Sequence, residues 1–374
     1  MKTPLRLALA LIALGSTSVW AADTMWISTL NQTWSINANW NSGSPPGASV
    51  GAILADSATV QHMINESSPA ATLVQGFSFP LFIGGAGFDI YSASSPVGFS
   101  LRGGGTANGI LNNDDNSQQF DIPLTLFSSS GLAGAGASQI FNAAAGGLIF
   151  SGVYSWNGSA NTINNNGGTI TLSGAYNTTI GLSTGRGDVA GLGGLVMASS
   201  GVLTLGGTVA NSYGGNTILS AGLTTIAKVG AIPGNLVLNG GNLNLARLNQ
   251  GMGTLSLSNS STIDFTGATL ASLVGPGGSN TVTFADSHSM NWNGQTLTIL
   301  DWSPNEKLKF GSSSSALTAA QLNEIIFADL PYTPTGEILS DGTVIPVPEP
   351  STAVLSLLGG GALAVGFVAR RRKA

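Results

Sequence analysis

The feature that most constrains this chain is a set of short alternating runs, each closed by glycine or asparagine. They are GTITLSG (168–174), GVLTLGG (201–207), NTILSAGLTTIA (216–227), GNLVLNGGNLNLA (234–246), GTLSLSNSSTIDFTG (253–267), NTVTFAD (280–286) and GQTLTIL (294–300). Apolar residues at every second position put one face of an extended segment inward and leave Thr, Ser or Asn on the other. Short runs separated by turn residues fit either a β-sandwich or a repeat solenoid. The self-similar Gly-x-Leu-x-Leu pattern favours an all-β fold of the right-handed parallel β-helix type, because outward Asn, Ser and Thr can stack from coil to coil.

Composition agrees with that choice. Of 374 residues, 53 are glycine and only 8% are charged, against roughly a quarter in ordinary globular chains. A surface poor in Glu and Lys disfavours exposed helices and suits short turns between stacked strands. Cysteine is absent, which removes disulfides, thiolate nucleophiles and Cys-based zinc sites. His62 and His288 are the only imidazoles, and both read as surface residues. No cofactor or metal is expected.

Both ends read as addresses. Lys2 and Arg6 precede the apolar run Leu7 to Leu14, and Val19 and Ala21 hold the small-residue positions of a cleavage site, so residues 1–21 are expected to be a secretory signal peptide handled by signal peptidase. At the other end, Ala353 to Ala369 is uncharged. As a helix it would span roughly 26 Å, enough to cross a bilayer. Arg370, Arg371, Arg372 and Lys373 follow it, which places the tail in the cytoplasm and the bulk of the chain outside the inner membrane. Between the addresses, six basic residues face sixteen acidic ones. A net charge near −10 argues against nucleic acid as a partner.

The C-terminal order Val347-Pro348-Glu349-Pro350, apolar helix, basic cluster resembles the PEP-CTERM sorting signal of exported proteins in Gram-negative bacteria. The resemblance implies recognition at Pro348, Glu349 and Pro350 by the membrane enzyme exosortase, passage through an inner-membrane intermediate, and release to the cell surface or extracellular matrix. Residues 201–246 resemble the autotransporter-associated β-strand repeat, with Asn211, Tyr213, Gly214, Gly215 and Thr217 on its motif positions. Asn and Gly there are expected to make tight positive-φ turns, with Tyr213 capping the apolar stack. Segments 33–57 and 297–330 resemble the flanking parts of PEP-CTERM proteins that carry this repeat.

The expected organisation is therefore signal peptide (1–21), β-solenoid (22–330), extended linker (331–346) and sorting signal (347–374), with its membrane helix at 353–369 and basic tail at 370–373. Trp34 and Trp40 are expected to shield the first coils. The segment ALTAAQLNEIIF (316–327) is the best helix candidate, placed to cover the far end.

Chemistry is sparse. Asp114 and Asp115 in NNDDN form the densest acidic cluster and read as a solvated turn rather than a Ca²⁺ site. The RGD tripeptide at 186–188 reads as coincidence, and sequons at Asn31, Asn65, Asn157, Asn177 and Asn259 are weak glycan acceptors. An enzyme is not expected, because so few basic residues are left to pair with carboxylates. A β-helical polysaccharide-active enzyme remains an alternative, with Asp264 the acidic residue best placed to face a groove. The reading is an exported structural protein of the surface or matrix in contact with extracellular polysaccharide. Its main alternative is a carbohydrate-binding adhesin that stacks sugars on Trp156 or Trp292.

Overall fold

A computed structural model describes residues 24–26, 32–46, 52–54, 62–65, 72–81, 87–91, 98–102, 108–127, 137–153, 161–246, 248–266, 280–330 and 335–347. Among these the chain is nearly all β, with one 3-10 turn (Asn37–Asn39) and one helix of five residues (Ala319–Asn323). All seven alternating windows hold strands.

The strands pair in parallel with partners further along the chain. A first sheet of ten strands runs through Thr24–Met25, Ala52–Ile53, Phe77–Phe79, Asn108–Asn112, Gln139–Ala143, Ile170–Gly174, Leu195–Met197, Thr217–Leu219, Leu236–Asn239 and Leu255–Asn259. A second ladder follows from Gln32–Thr33 through Phe88–Tyr91, Gln118–Asp121, Thr178–Ile180, Leu223–Ile226 and Ser261–Asp264 to Ile325–Phe327. The third begins with six strands from Thr72–Val74 to Ser212–Tyr213. Beyond them Gln250–Gly251, Thr281–Phe284 and Lys307–Phe310 pair in turn. Each strand thus meets its equivalent one coil later, which is the arrangement of a β-solenoid. A sandwich would need antiparallel hairpin neighbours.

Alternation fills the interior. On the first sheet Ala52, Phe77, Ile110, Phe141, Leu172, Met197, Leu219, Leu238 and Leu257 are successive register partners, and all are fully buried. From Ile110 onward these positions lie 31, 31, 25, 22, 19 and 19 residues apart, so the coils shorten toward the middle of the chain. Phe rings dominate the early coils, where Phe77, Phe79, Phe120, Phe141 and Phe150 pack with centroids 5.3 to 6.1 Å apart. Leu and Ile replace them in the short coils.

The outer face departs from the expected polar rows on one side. Thr179, Thr204, Thr225 and Asn244 form such a row on the second sheet, and amides stack at the corners, with Asn259 Nδ2 donating to Asn239 Oδ1 (2.7 Å) and Asn239 Nδ2 to Ser220 Oγ (3.3 Å). On the first sheet the outward row is Ile140, Thr171, Val196, Ile218, Val237 and Ser256, half-buried and largely aliphatic. Flat parallel strands favour β-branched residues on either face, because these pack along the pleat.

Both ends of the solenoid are closed. Trp26, Trp34 and Trp40 pack edge to face with centroids 4.6 and 5.1 Å apart, and Trp34 also meets Phe77 and Phe99. The outer edge of Thr24–Met25 is covered by residues 40 and 41: Asn41 N donates to Met25 O (3.0 Å), Met25 N donates to Asn41 Oδ1 (2.9 Å), and Trp26 bridges Trp40 antiparallel. At the far end the helix starts at a capping box of Thr318 and Gln321. It is shorter than expected, because Ile325–Phe327 returns to the second ladder beside Leu297–Leu300. Two β-branched residues and a Phe gain more from closing a parallel edge than from extending a short helix.

The expected extended linker is corrected. Thr335–Ile338 and Thr343–Val347 form an antiparallel hairpin, which also pairs antiparallel with Ile325–Phe327 and Lys307–Phe310. It joins the ends of two ladders and covers their open edges. No helix among the described residues is long and apolar enough to cross a membrane. The expected signal peptide (1–21) and membrane helix (353–369) lie outside those residues.

Candidate functional site

The most unusual chemistry on the described surface lies on the second sheet. Parallel register sets Gln119 beside Asp89 and Asp121 beside Tyr91. The pleat turns Phe88, Ile90 and Phe120 inward and Asp89, Gln119 and Asp121 outward. Gln119 Nε2 donates to both Asp121 oxygens (3.1 and 3.0 Å), while Asp89 shares a hydrogen bond with Asp121 and keeps Oδ1 buried without a partner. Burial pushes the Asp89 carboxyl up to about 7, and the charge and hydrogen bond of Asp121 act in the same direction. Near neutral pH Asp89 is therefore partly protonated beside the Asp121 side chain. Such a pair can donate or accept a proton.

Sequence reasoning passed over this pair in favour of Asp264. Its signal was the tripeptide Phe-Asp-Ile, which occurs twice, at 88–90 and 120–122. Asp264 does face outward, but its carboxylate is held by Asn244 Nδ2 (3.1 Å), the backbone N–H of Thr266 (2.7 Å) and the Thr266 hydroxyl. The Thr266 hydroxyl also reaches Asp301.

Other singled-out residues fall as follows. Trp292 is corrected as a sugar platform: its ring is 2% exposed, its Nε1 donates to Leu255 O (3.2 Å), and it packs near Phe310. A buried indole satisfied by a carbonyl offers no face to a ligand. Trp156, Pro348, Glu349, Pro350 and the basic tail Arg370, Arg371, Arg372 and Lys373 lie outside the described residues. The solvated turn at NNDDN is half right, since Asp115 is exposed but Asp114 is buried. Asp114 accepts from Asn116 N and Nδ2 and from Gln118 Nε2 (3.3, 3.1 and 3.2 Å), and burial raises its pKa. In RGD, Arg186 pairs with Asp188 (3.1 Å), and Asp188 is 2% exposed. The tripeptide is folded onto itself.

The repeat-like residues are placed differently from the expectation. Gly214 and Gly215 are not at positive φ. A Cβ on Gly215 would stand 2.6 Å from Gly194 N and 2.7 Å from Gly193 C, so glycine is needed there for close approach of the neighbouring coil. Tyr213 is buried within the core and its hydroxyl meets Thr217 Oγ1 (2.5 Å). Asp286, His288, Ser289 and Ser315 line an open pocket of about 350 Å³. There Asp286 Oδ1 accepts the backbone N–H of His288 (3.0 Å), which is a local turn rather than a contact that orients the imidazole. Among the described residues no group of three or more His, Cys, Asp or Glu converges to hold a metal ion.

Fold and surface together define an edge-capped β-solenoid with little charge. Comparison with known proteins adds the sorting element: the profile of the PEP-CTERM protein-sorting motif matches residues 346–373. The motif points to export toward the envelope or surface of a Gram-negative bacterium, with exosortase acting in the process. No curated protein and no solved structure matches the chain.

Proposed function

We propose that the protein is an exported structural component of the cell surface or extracellular matrix, cleaved by signal peptidase near Ala21, held in the inner membrane through residues 353–369, and processed there by exosortase. The observation that carries this reading is the sorting motif at 346–373, which begins on the last strand of the hairpin that closes the solenoid. The crossover rule for parallel strands supports a right-handed winding. The likeness of residues 201–246 to the autotransporter-associated β-strand repeat supports a passenger-like role. Stacked amides and hydroxyls on the corners and the second sheet supply a charge-poor, hydrogen-bonding flank suited to extracellular polysaccharide. On a carbohydrate-binding reading, Trp156 is the remaining aromatic contact.

Intact mass and cell fractionation test the proposal, in the native host and in a host lacking exosortase. A product that starts near Ala22, ends near Pro348 to Pro350 and lies outside the cell only when exosortase is present is the expected result. A full-length chain retained in the inner membrane of both hosts overturns it.

A further inference from the structure

A buried lysine sits at the corner of the solenoid that also holds the Arg186–Asp188 pair. Lys228 follows the strand Leu223–Ile226, and Asn211 precedes Ser212–Tyr213 one coil earlier. Both side chains are 5% exposed. Lys228 Nζ donates to Asn211 Oδ1 (2.7 Å) and to Gly187 O (2.6 Å). Asn211 Oδ1 also accepts the backbone N–H of Val189 (2.9 Å), and Asn211 Nδ2 donates to Ala231 O (2.5 Å). Gln250 Nε2 binds Lys228 O (2.8 Å) and fixes the turn that carries the lysine.

We propose that Lys228 and Asn211 form an intramolecular amide cross-link, an acyl transfer from the carboxamide to the amine with loss of ammonia. An unprotonated Nζ attacks Asn211 Cγ; the Nζ–Cγ bond forms and the Cγ–Nδ2 bond breaks. One Nζ proton passes to the departing nitrogen, which leaves as NH₃, and nothing is oxidised or reduced. The parts that such a step needs are in place. The hydrogen bond to Oδ1 holds the amine beside the carbonyl carbon, and burial excludes competing water. The Val189 N–H points at the oxygen that becomes negative in the tetrahedral intermediate. Burial lowers the Lys228 pKa to about 8, against the charge of Asp188, so unprotonated amine is available at mildly alkaline pH. Asp188 acts on the amine through its charge alone, because its oxygens accept from Arg186 and Thr162.

The product fits the site better than the reactants. A secondary amide has one N–H and one C=O, and Gly187 O and Val189 N–H are the acceptor and donor already aimed at those atoms. The bond removes a buried charge and ties together two adjacent coils whose residues are 17 apart in sequence.

Mass spectrometry of the protein purified as exported from its host tests the proposal directly. The expected chain is about 17 Da lighter than its sequence requires, the mass of one ammonia. Trypsin then fails to cut after Lys228 and leaves residues 187–247 as one light peptide, which a chymotryptic cut after Tyr213 converts to a branched pair. Lys228→Arg and Asn211→Ala chains carry the full mass of their sequences. A wild-type chain of full mass, cleaved after Lys228 into residues 187–228 and 229–247, overturns the inference. So does a 17 Da loss that maps to any other peptide, such as cyclisation at an Asn-Gly pair.

Discussion

The carboxyl pair on the second sheet makes stability depend on pH in a direction that one substitution isolates. In the folded chain Asp89 titrates at about 7 rather than 3.8. Its raised pKa means that the native state binds the proton more tightly than the unfolded chain does. Stability from this group is complete below about pH 4, falls as pH rises to about 7, and is level beyond. A difference of about three units at 1.36 kcal/mol each sets a ceiling of about 4 kcal/mol. Asp89 is only half-buried, and solvent screening reduces the expected effect to about 2 kcal/mol. Asp89→Asn removes the titration, keeps the shape and gives Asp121 an amide donor. Burial raises Asp114 and Glu324 and lowers Lys228 as well, so the wild-type profile alone mixes several groups, whereas the difference between wild type and variant reports Asp89. Urea unfolding can be followed through Trp26, Trp34 and Trp40, which pack together at the same end of the solenoid, with Trp34 against Phe77 and Phe99. The variant should be more resistant than wild type at pH 8 by about 2 kcal/mol and equal to it near pH 4. Superimposable curves at every pH, or a variant weaker at pH 8, would refute the raised Asp89 pKa.

Two further outcomes follow from packing and edges. Gly215→Ala places a methyl group 2.6 Å from the backbone of the neighbouring coil and should cost about 1–3 kcal/mol, seen as faster amide exchange in Leu195–Met197 and Thr217–Leu219; unchanged protection would mean that the coils have slack. Val344→Asp puts a charge at a fully buried position paired with Leu308, so the hairpin should detach and expose the edges of Lys307–Phe310 and Ile325–Phe327. Light scattering should then show association, and a monodisperse monomer with a protected hairpin would remove the capping role.

Much of the fold was legible because alternation is a local signal. Every Gly-x-Leu-x-Leu window became a strand, since inward Leu and outward Thr report the pleat without reference to any partner. What separates a solenoid from a sandwich is which strand pairs with which, a long-range property that only the coil-to-coil register displays. The hairpin at 335–347 was missed because Pro331, Pro334 and Pro346 resemble a linker. Yet Pro346 pairs opposite Gly336 and lies beyond Thr343 and Val344, the residues in register with Lys307–Phe310, and an unpaired strand flank tolerates proline. Trp292 was misplaced for a related reason. A tryptophan between two asparagines looks exposed in sequence, and only the coil above it shows that Leu255 O takes its N–H.

The site residues were hidden by the same stacking that makes the fold visible. Asp89 and Asp121, or Lys228, Asn211 and Asp188, are ordinary side chains in ordinary runs. Their chemistry arises when a parallel coil sets one above another at strand spacing, about 4.8 Å. In a solenoid that vertical spacing is short enough for hydrogen bonds between like groups. A charge placed in one coil therefore acts on the next, and a chain with 8% charged residues has few of them to compensate. Neutral amides can repeat on every coil without penalty, as Asn239 and Asn259 do, whereas a half-buried carboxyl beside another, as at Asp89, is pushed toward its neutral form and a buried lysine must find acceptors. The low charge of the sequence is thus a condition of the stack, and the few charged residues inside it are the places to look for chemistry.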